Sequence, residues 1–355
     1  MRSILPVNSK LPLTLRLTLI LLVSAAFLIN TPYVILAPGQ PQNILGSAIS
    51  ISGTKVYPTD GKLSVTSVMV TDPDSYMTGF DVLYNWINPD NAVLPRVDIY
   101  PPNESASDAF KLGAIEMQDS QLNATAAALK YLGYDFQAKL IIAKINRQSK
   151  AFNLLKLNDE LLSVDNVKYE SQAELAKRLE SKKPGDQVLV KILRGGTTVI
   201  ENQIELSERE DGSAFIGIGI KNEYEFPFKV NIKLAQTGGP SGGLIFALGV
   251  IEKLTQESLV RSRNIAGTGT ITNSGKVGPI GGIAEKIIGA NRAGVDLFFA
   301  PIENCEDLKN IETVLSKSER SRLKIVPVAT LAEAVSILRM PSNTQYPSCQ
   351  STQLE

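Results

Sequence analysis

The chain has 355 residues, 43% of them hydrophobic, with 36 Lys and Arg balanced by 36 Asp and Glu, which bounds it to about two globular domains. That balance excludes the basic character of a nucleic-acid binder. Histidine is absent and cysteine occurs only as Cys305 and Cys349, so a Ser-His-Asp triad and any histidine or cysteine-cluster metal site are excluded, and no cofactor is expected.

The first predicted element is an apolar stretch within Leu11 to Leu36, densest from Leu17 to Ile29. With its flanks it is long enough to span a bilayer. Arg2, Lys10 and Arg16 precede it, and Lys55 is the first basic residue after it. The positive-inside rule then predicts a short cytoplasmic tip and a single-pass cell-membrane anchor over residues 1–36, with the bulk of the chain extracytoplasmic. A cleavable signal peptide is the rival, because Ser24, Ala25 and Ala26 are small; no Ala-x-Ala site closes the stretch, which favours the anchor.

Residues 37–133 form an extracytoplasmic segment expected to pack with the C-terminal domain. Tyr33 to Gly39 reads as an extended exit, and Lys62 to Val70 alternates as one strand. Tyr84 to Glu104 is rich in Pro, Asn and Asp and reads as a surface loop. Ala114 to Leu132 is a predicted helix closed by Gly133. Over residues 134–206 the pattern is strand at Leu140 to Ile145, helix at Ser171 to Ser181, then Pro184-Gly185 and a strand at Gln187 to Leu193. Residues 207–340 read as mixed α/β: strands at Phe228 to Leu234, Ile265 to Ile271, Leu297 to Ala300 and Leu323 to Val328, and helices from Leu244, from Ile283 and over Leu331 to Leu338. The polar tail 341–355 reads as disordered. A disulfide between the two cysteines is permitted outside the cytoplasm but not demanded.

The chemistry concentrates in two motifs. In Gly238-Gly-Pro-Ser-Gly-Gly243, Ser241 lies at the start of a helix whose apolar residues Leu244, Leu248, Ile251 and Phe246, Val250, Leu254 recur at three- and four-residue steps. A helix N-terminus favours an anion, and the surrounding glycines let a substrate backbone approach. A hydroxyl needs a base to become a nucleophile. In Gly278-Pro-Ile-Gly-Gly-Ile-Ala-Glu-Lys286, the helix closed by Gly294 puts Lys286 on an apolar stripe with Ile283, Ile287 and Ala290. Glu285 and Arg292 fall on another face, which reads as watered. Burial lowers the pKa of an ammonium, so a neutral Lys286 is available as general base for Ser241. Two Ser-x-x-Lys matches, Ser52 to Lys55 and Ser321 to Lys324, begin no helix and lack the Ser-Asp-Asn and Lys-Thr-Gly companions; chance explains them.

Gly239-Pro-Ser-Gly-Gly243, Thr268-Gly-Thr-Ile271, Gly275 to Lys286 and Arg292-Ala-Gly294 together resemble the proteolytic domain of Lon proteases, over roughly Ala214 to Leu338. The resemblance implies Ser241 as nucleophile and Lys286 as base, with Thr268 hydrogen-bonded near them. Leu155 to Asn166 resembles the PDZ pattern Gly-Leu-x-x-Gly-Asp-x-Ile-x-x-Val-Asn-Gly, with Leu154, Asn158 and Asn166 at the glycine positions. The layout, including Met117-x-x-Ser120-Gln121, is similar to membrane-anchored Lon-like proteases that carry a PDZ domain. No phosphate loop of the Gly-x-x-x-x-Gly-Lys-Ser/Thr type occurs in the sequence. What the resemblance implies is an ATP-independent serine endopeptidase acting on protein or peptide substrates, with oligomerisation possible. The alternative is a non-catalytic PDZ adaptor with an inactive Lon-like domain, which would be expected to lack one member of the Ser-Lys pair.

Overall fold

A computed structural model describes residues 12–102, 104–169, 172–209, 211–234, 238–310, 315–341 and 344–349. The chain divides into two compact units: Met1–Ser50, Val56–Ala124 and Asn231–Glu355 form one, Ile51–Lys55 and Thr125–Val230 the other.

In chain order the first stretch holds α1 (Leu13–Leu28), β1 (Tyr33–Pro38), β2 (Gln42–Asn43), β3 (Ile49–Ser52), β4 (Lys62–Val65), β5 (Val68–Val70), α2 (Gly79–Ile87), β6 (Ala92–Pro95), α3 (Arg96–Ile99) and α4 (Ala106–Tyr131). The middle holds β7 (Gln137–Ile145), β8 (Glu160–Val164), α5 (Gln172–Leu179), β9 (Gln187–Arg194), β10 (Thr198–Glu205), β11 (Ser207–Glu208), β12 (Ala214–Phe215), β13 (Ile218–Glu225) and β14 (Lys229–Ile232). The last stretch holds α6 (Gly243–Leu254), β15 (Asn264–Gly267), β16 (Thr270–Ile271), β17 (Val277–Gly278), α7 (Ile283–Arg292), β18 (Leu297–Pro301), α8 (Lys317–Arg322), β19 (Lys324–Val328) and α9 (Leu331–Arg339).

The first unit is built on a five-stranded sheet in the order β19-β18-β15-β4-β2, parallel except for β2. Parallel strands buried on both faces read as continuous apolar runs, and β18 (Leu-Phe-Phe-Ala-Pro) is buried along its whole length. Ile283, Ile287 and Ala290 of α7 join Ala266, Phe298 and Ala300 of the sheet in one apolar cluster. A smaller antiparallel sheet, β5-β1-β6, covers another side of α7: Gly289 faces the Gly39 carbonyl so closely that a Cβ there would lie 2.3 Å from it.

The second unit is a five-stranded sheet, β10-β9-β8-β7-β13, antiparallel at every pairing. Leu140, Ile142, Leu161, Val190, Ile192 and Ile204 form its core with Leu175 of α5. Residues 218–225, which the sequence pattern groups with the region 207–340, pair along β7 in this sheet. Asn158 and Asn166 stand where the PDZ pattern has glycines, and both keep positive φ, 68° and 63°. Asparagine tolerates the left-handed region far better than most residues, so the turns survive the replacement.

Several expectations are corrected. The single strand over Lys62 to Val70 is broken into β4 and β5, because buried Thr66 turns its N–H (3.3 Å) and hydroxyl (3.1 Å) to the Gly267 carbonyl. The loop over Tyr84 to Glu104 contains the end of α2, then β6 and α3. Thr78 and Asp81 form a reciprocal capping box at the start of α2, a signal outside the Pro- and Asn-rich stretch. The tail is not wholly disordered: Cys349 is disulfide-bonded to Cys305 and packs against the apolar cluster that holds Ile283 and Phe298, while residues 350–355 lie outside the described residues. Separately from these corrections, α1 is apolar and buries none of its 16 residues; among the described residues no helix is long and apolar enough to cross a membrane, which leaves the anchor an expectation. Arg2 and Lys10 lie outside the described residues.

Candidate active site

The nucleophile candidate lies just ahead of α6 and the base candidate lies in α7, the two helices on either side of β15 in sequence. α6 buries every residue except Lys253, so the helix is fixed in the core and its first turn is held in place. Gly242 and Gly243 make that fit possible. A Cβ on Gly242 would lie 2.8 Å from Phe246 and from Val65, and one on Gly243 would lie 2.7 Å from Ile271. Ser241, immediately ahead, is half-buried.

The backbone of Ser241 is pinned through its carbonyl. It accepts from the Gly269 N–H at 2.7 Å and from the Thr268 hydroxyl at 3.0 Å. Thr268 is fully buried at the C-terminal end of β15, where parallel-sheet proteins commonly build their sites. Its Oγ1 also accepts from Lys286 Nζ at 3.1 Å. One threonine hydroxyl therefore links the lysine to the residue that carries the serine. The sequence motifs place this threonine near the pair but do not specify this bridging geometry.

Lys286 is 3% exposed. Burial pulls its pKa down from the usual lysine range to about 8, with the neighbouring Glu285 carboxyl pulling weakly the other way. A tertiary shell on two sides of α7 produces this, not the helix alone. It also overturns the expectation that Glu285 faces water. Glu285 is buried, and burial raises its carboxyl pKa. The cause is a tertiary contact: Val68 of β5 lies against the start of α7, where a Cβ on Gly282 would approach it to 2.7 Å. Arg292, on the face read with Glu285, is exposed and ion-paired with Asp90.

Two supporting residues were not legible as such. Ser120 of α4 is buried and donates to the Pro240 carbonyl at 2.9 Å, while the Gly239 N–H donates to the Gly113 carbonyl on the same helix at 2.9 Å. α4 thus braces the segment just before the nucleophile candidate. The Met117-x-x-Ser120-Gln121 pattern marked the helix but said nothing of this contact. Asn304, also buried, grips both backbone groups of Ile280 in the loop leading to α7: its Oδ1 accepts from the N–H (3.0 Å) and its Nδ2 donates to the carbonyl (2.9 Å). No sequence feature pointed to it. Among the described residues no group of acidic, cysteine or histidine side chains could hold a metal ion.

Residues 233–340 match the family model described as the Lon protease (S16) C-terminal proteolytic domain, and residues 114–202 match the PDZ domain model. The chain therefore carries a Lon-type proteolytic domain and a PDZ domain. It is 36% identical over 98 residues to the Lon protease of Aster yellows witches'-broom phytoplasma, covering 28% of this chain and 12% of the relative. Similarity to the Lon protease of Rhizobium meliloti is 34% over 110 residues, covering 30% and 13% respectively. With the Lon protease of Chloroflexus aurantiacus it is 40% over 106 residues, covering 30% and 12%. The match thus spans only about an eighth of the length of these relatives. Among solved structures, the PDZ domain of an SdrC-like protein from Listeria innocua is 25% identical, covering 23% of this chain and 92% of that one, with a TM-score of 0.22.

Proposed function

We propose that the protein is a membrane-anchored serine endopeptidase that uses a Ser241–Lys286 dyad, needs no ATP, and cleaves extracytoplasmic or membrane-proximal proteins. The observation that carries the reading is Lys286: a buried lysine with a pKa near 8, hydrogen-bonded to the threonine that holds the Ser241 carbonyl. In its neutral form Lys286 accepts the Ser241 hydroxyl proton as Oγ attacks the peptide carbonyl. The developing oxyanion lies ahead of α6, whose N-terminal dipole favours negative charge. Lys286 then returns the proton to the departing amine, and water, deprotonated by the same lysine, releases the acyl group from Ser241. Thr268 orients the ammonium between these steps.

Three features support the compartment. Basic residues flank the apolar helix on its N-terminal side, α1 buries none of its residues, and Cys305 is disulfide-bonded to Cys349, a bond that persists in oxidising surroundings. The lack of a phosphate loop supports ATP independence. The PDZ domain fits a role in presenting extended chain ends, which such domains add to a sheet edge.

The test is hydrolysis of an unfolded protein by the detergent-solubilised full chain in the absence of ATP. Wild type should cleave, and Ser241→Ala and Lys286→Ala should not, with folding checked by circular dichroism. Retained activity in either variant would refute the dyad. A fully folded wild type that binds peptides without cleaving them would indicate an adaptor.

A further inference from the structure

α2 is amphipathic in the reverse of the usual sense. Phe80, Leu83, Tyr84 and Ile87 recur at i, i+3, i+4 and i+7, the spacing of a core-facing stripe. All four are exposed, Tyr84 at 64% and Ile87 at 68%, and Trp86 beside them is exposed at 73%. The polar residues are the ones with hydrogen-bond partners, along the helix and at its ends. Thr78 and Asp81 cap each other, Asn85 Nδ2 donates to the Asp81 carbonyl at 2.8 Å, and Asn91 Nδ2 donates to Asn85 Oδ1 at 2.6 Å. A contiguous outward apolar patch of this kind marks an interaction surface.

What covers it is indicated by its neighbour. α2 is joined to the C-terminal end of α1: the Phe27 and Phe80 rings stack at 5.0 Å, and Phe80 and Tyr84 continue the stack at 6.4 Å. Gly79 brings its backbone close to Ala26, the Thr31 N–H donates to the Met77 carbonyl at 2.7 Å, and the Tyr76 hydroxyl donates to the Leu28 carbonyl. The outward stripe is therefore continuous with the end of α1 from which the folded chain departs. Sixteen helical residues rise about 24 Å, short of the ~30 Å hydrocarbon core, so the exit end of α1 lies within reach of the headgroup boundary. Tryptophan and tyrosine are the side chains that collect at that depth. α2 contains Asp81 and no basic residue, so apolar partition rather than attraction to anionic lipid must drive its insertion.

We propose that α2 lies flat in the outer interface of the bilayer as an amphipathic helix, its Phe80–Leu83–Tyr84–Ile87 stripe and Trp86 in the acyl–headgroup boundary. The proposal rests on the reading of α1 as a membrane anchor. It adds a second, laterally spread contact beside that anchor, and the Asp90–Arg292 ion pair joins the loop after α2 to the helix carrying Lys286. The candidate active site is thereby held at a fixed attitude to the lipid surface, which suits substrates that emerge from the membrane.

Trp86 is the only tryptophan in the chain and so reports directly. Full-length protein is reconstituted in phosphatidylcholine vesicles and floated, and Trp86 emission is compared with that of the protein in detergent at matched concentrations. Expected are co-flotation, a shift to shorter wavelength, and loss of about half the emission when lipid brominated about 5–10 Å below the boundary replaces ordinary lipid, unaffected by salt. The triple variant Phe80→Ser, Leu83→Ser, Ile87→Ser, altered only at exposed positions, should still float but lose the quenching. Co-flotation with Trp86 unshifted and unquenched would overturn the interfacial helix and leave the anchor standing. Failure to float would overturn both. An unquenched shift that grows with protein density would assign the stripe to a second copy of the chain and overturn the proposal as well.

Discussion

The two halves of the candidate site are held by different forces. Ser241 is positioned by hydrogen bonds to backbone: Gly269 and Thr268 hold its own carbonyl, Ser120 holds that of Pro240, and Gly113 receives the N–H of Gly239. Lys286 is positioned and tuned by apolar burial, between the large sheet and the β5-β1-β6 sheet, with one hydrogen bond to Thr268. The difference separates two kinds of damage. Changes around the serine should alter geometry and leave ionisation alone, while changes around the lysine should alter ionisation and stability together.

The largest effects test the pair itself. Ser241→Ala and Lys286→Ala should each lower kcat by about 10³-fold or more, and the double variant should be no worse than either, since dyad members act as a unit. Proteolysis kinetics of the three variants check this. In the wild type, kcat/KM should rise about tenfold per pH unit below about 8 and level off above it, as Lys286 becomes neutral. A profile flat from pH 6 to 9 would remove Lys286 from the role of base.

Stability sharpens the contrast. The folded-state pKa of Lys286 lies below its unfolded value, so between about pH 8 and 10.5 the unfolded chain holds more protons, and stability contributed at this site rises with pH. Below that window the buried charge costs up to about 3 kcal/mol. Lys286→Met should therefore raise stability to urea at pH 7 by up to that amount, with the gain shrinking towards pH 10.5, while abolishing cleavage. Removing the disulfide with Cys349→Ser should cost about 2–4 kcal/mol, given a sequence separation of 44 between the cysteines, measured by thermal unfolding.

The smallest effects probe the link between the two halves and then the serine side. Thr268→Val keeps the volume but removes both the link to Lys286 and the hydroxyl bond to the Ser241 carbonyl. It should lower kcat by about 10–100-fold and cost about 1–2 kcal/mol of stability. Ser120→Ala, which leaves the Pro240 carbonyl without that donor, should cost about 1 kcal/mol and lower kcat several-fold with the pH midpoint unmoved. A shifted midpoint in Ser120→Ala would break the division between geometry and ionisation.

Local pattern carried the elements that bear the chemistry. α6 follows from its apolar spacing, α7 from its stripe and from Gly294 at positive φ past its end, and the PDZ-type sheet from strands at Gln137–Ile145 and Gln187–Arg194. Where local pattern failed, the cause was non-local. Thr66 breaks a strand because the Gly267 carbonyl, 201 residues away, accepts its hydroxyl. α2 was hidden because its start lies at Thr78 and Asp81, outside the polar stretch that suggested a loop.

The sequence by itself determined which chemistry is available. Without histidine, a serine among glycines at a helix start points to lysine as the remaining common base, and the stripe of Ile283, Lys286, Ile287 and Ala290 marks Lys286 as the candidate. That is possible because helical periodicity and glycine permissiveness are properties of a few consecutive residues. Only the tertiary structure decided how that lysine is set. A stripe says which side of a helix is apolar, not how many sides are covered. The burial of Glu285, the pKa of Lys286 near 8, and the bracing of the Ser241 segment by Ser120 all come from β5, β1 and α4, which lie far away in sequence. Desolvation depends on everything that excludes water, and no window of the chain contains that.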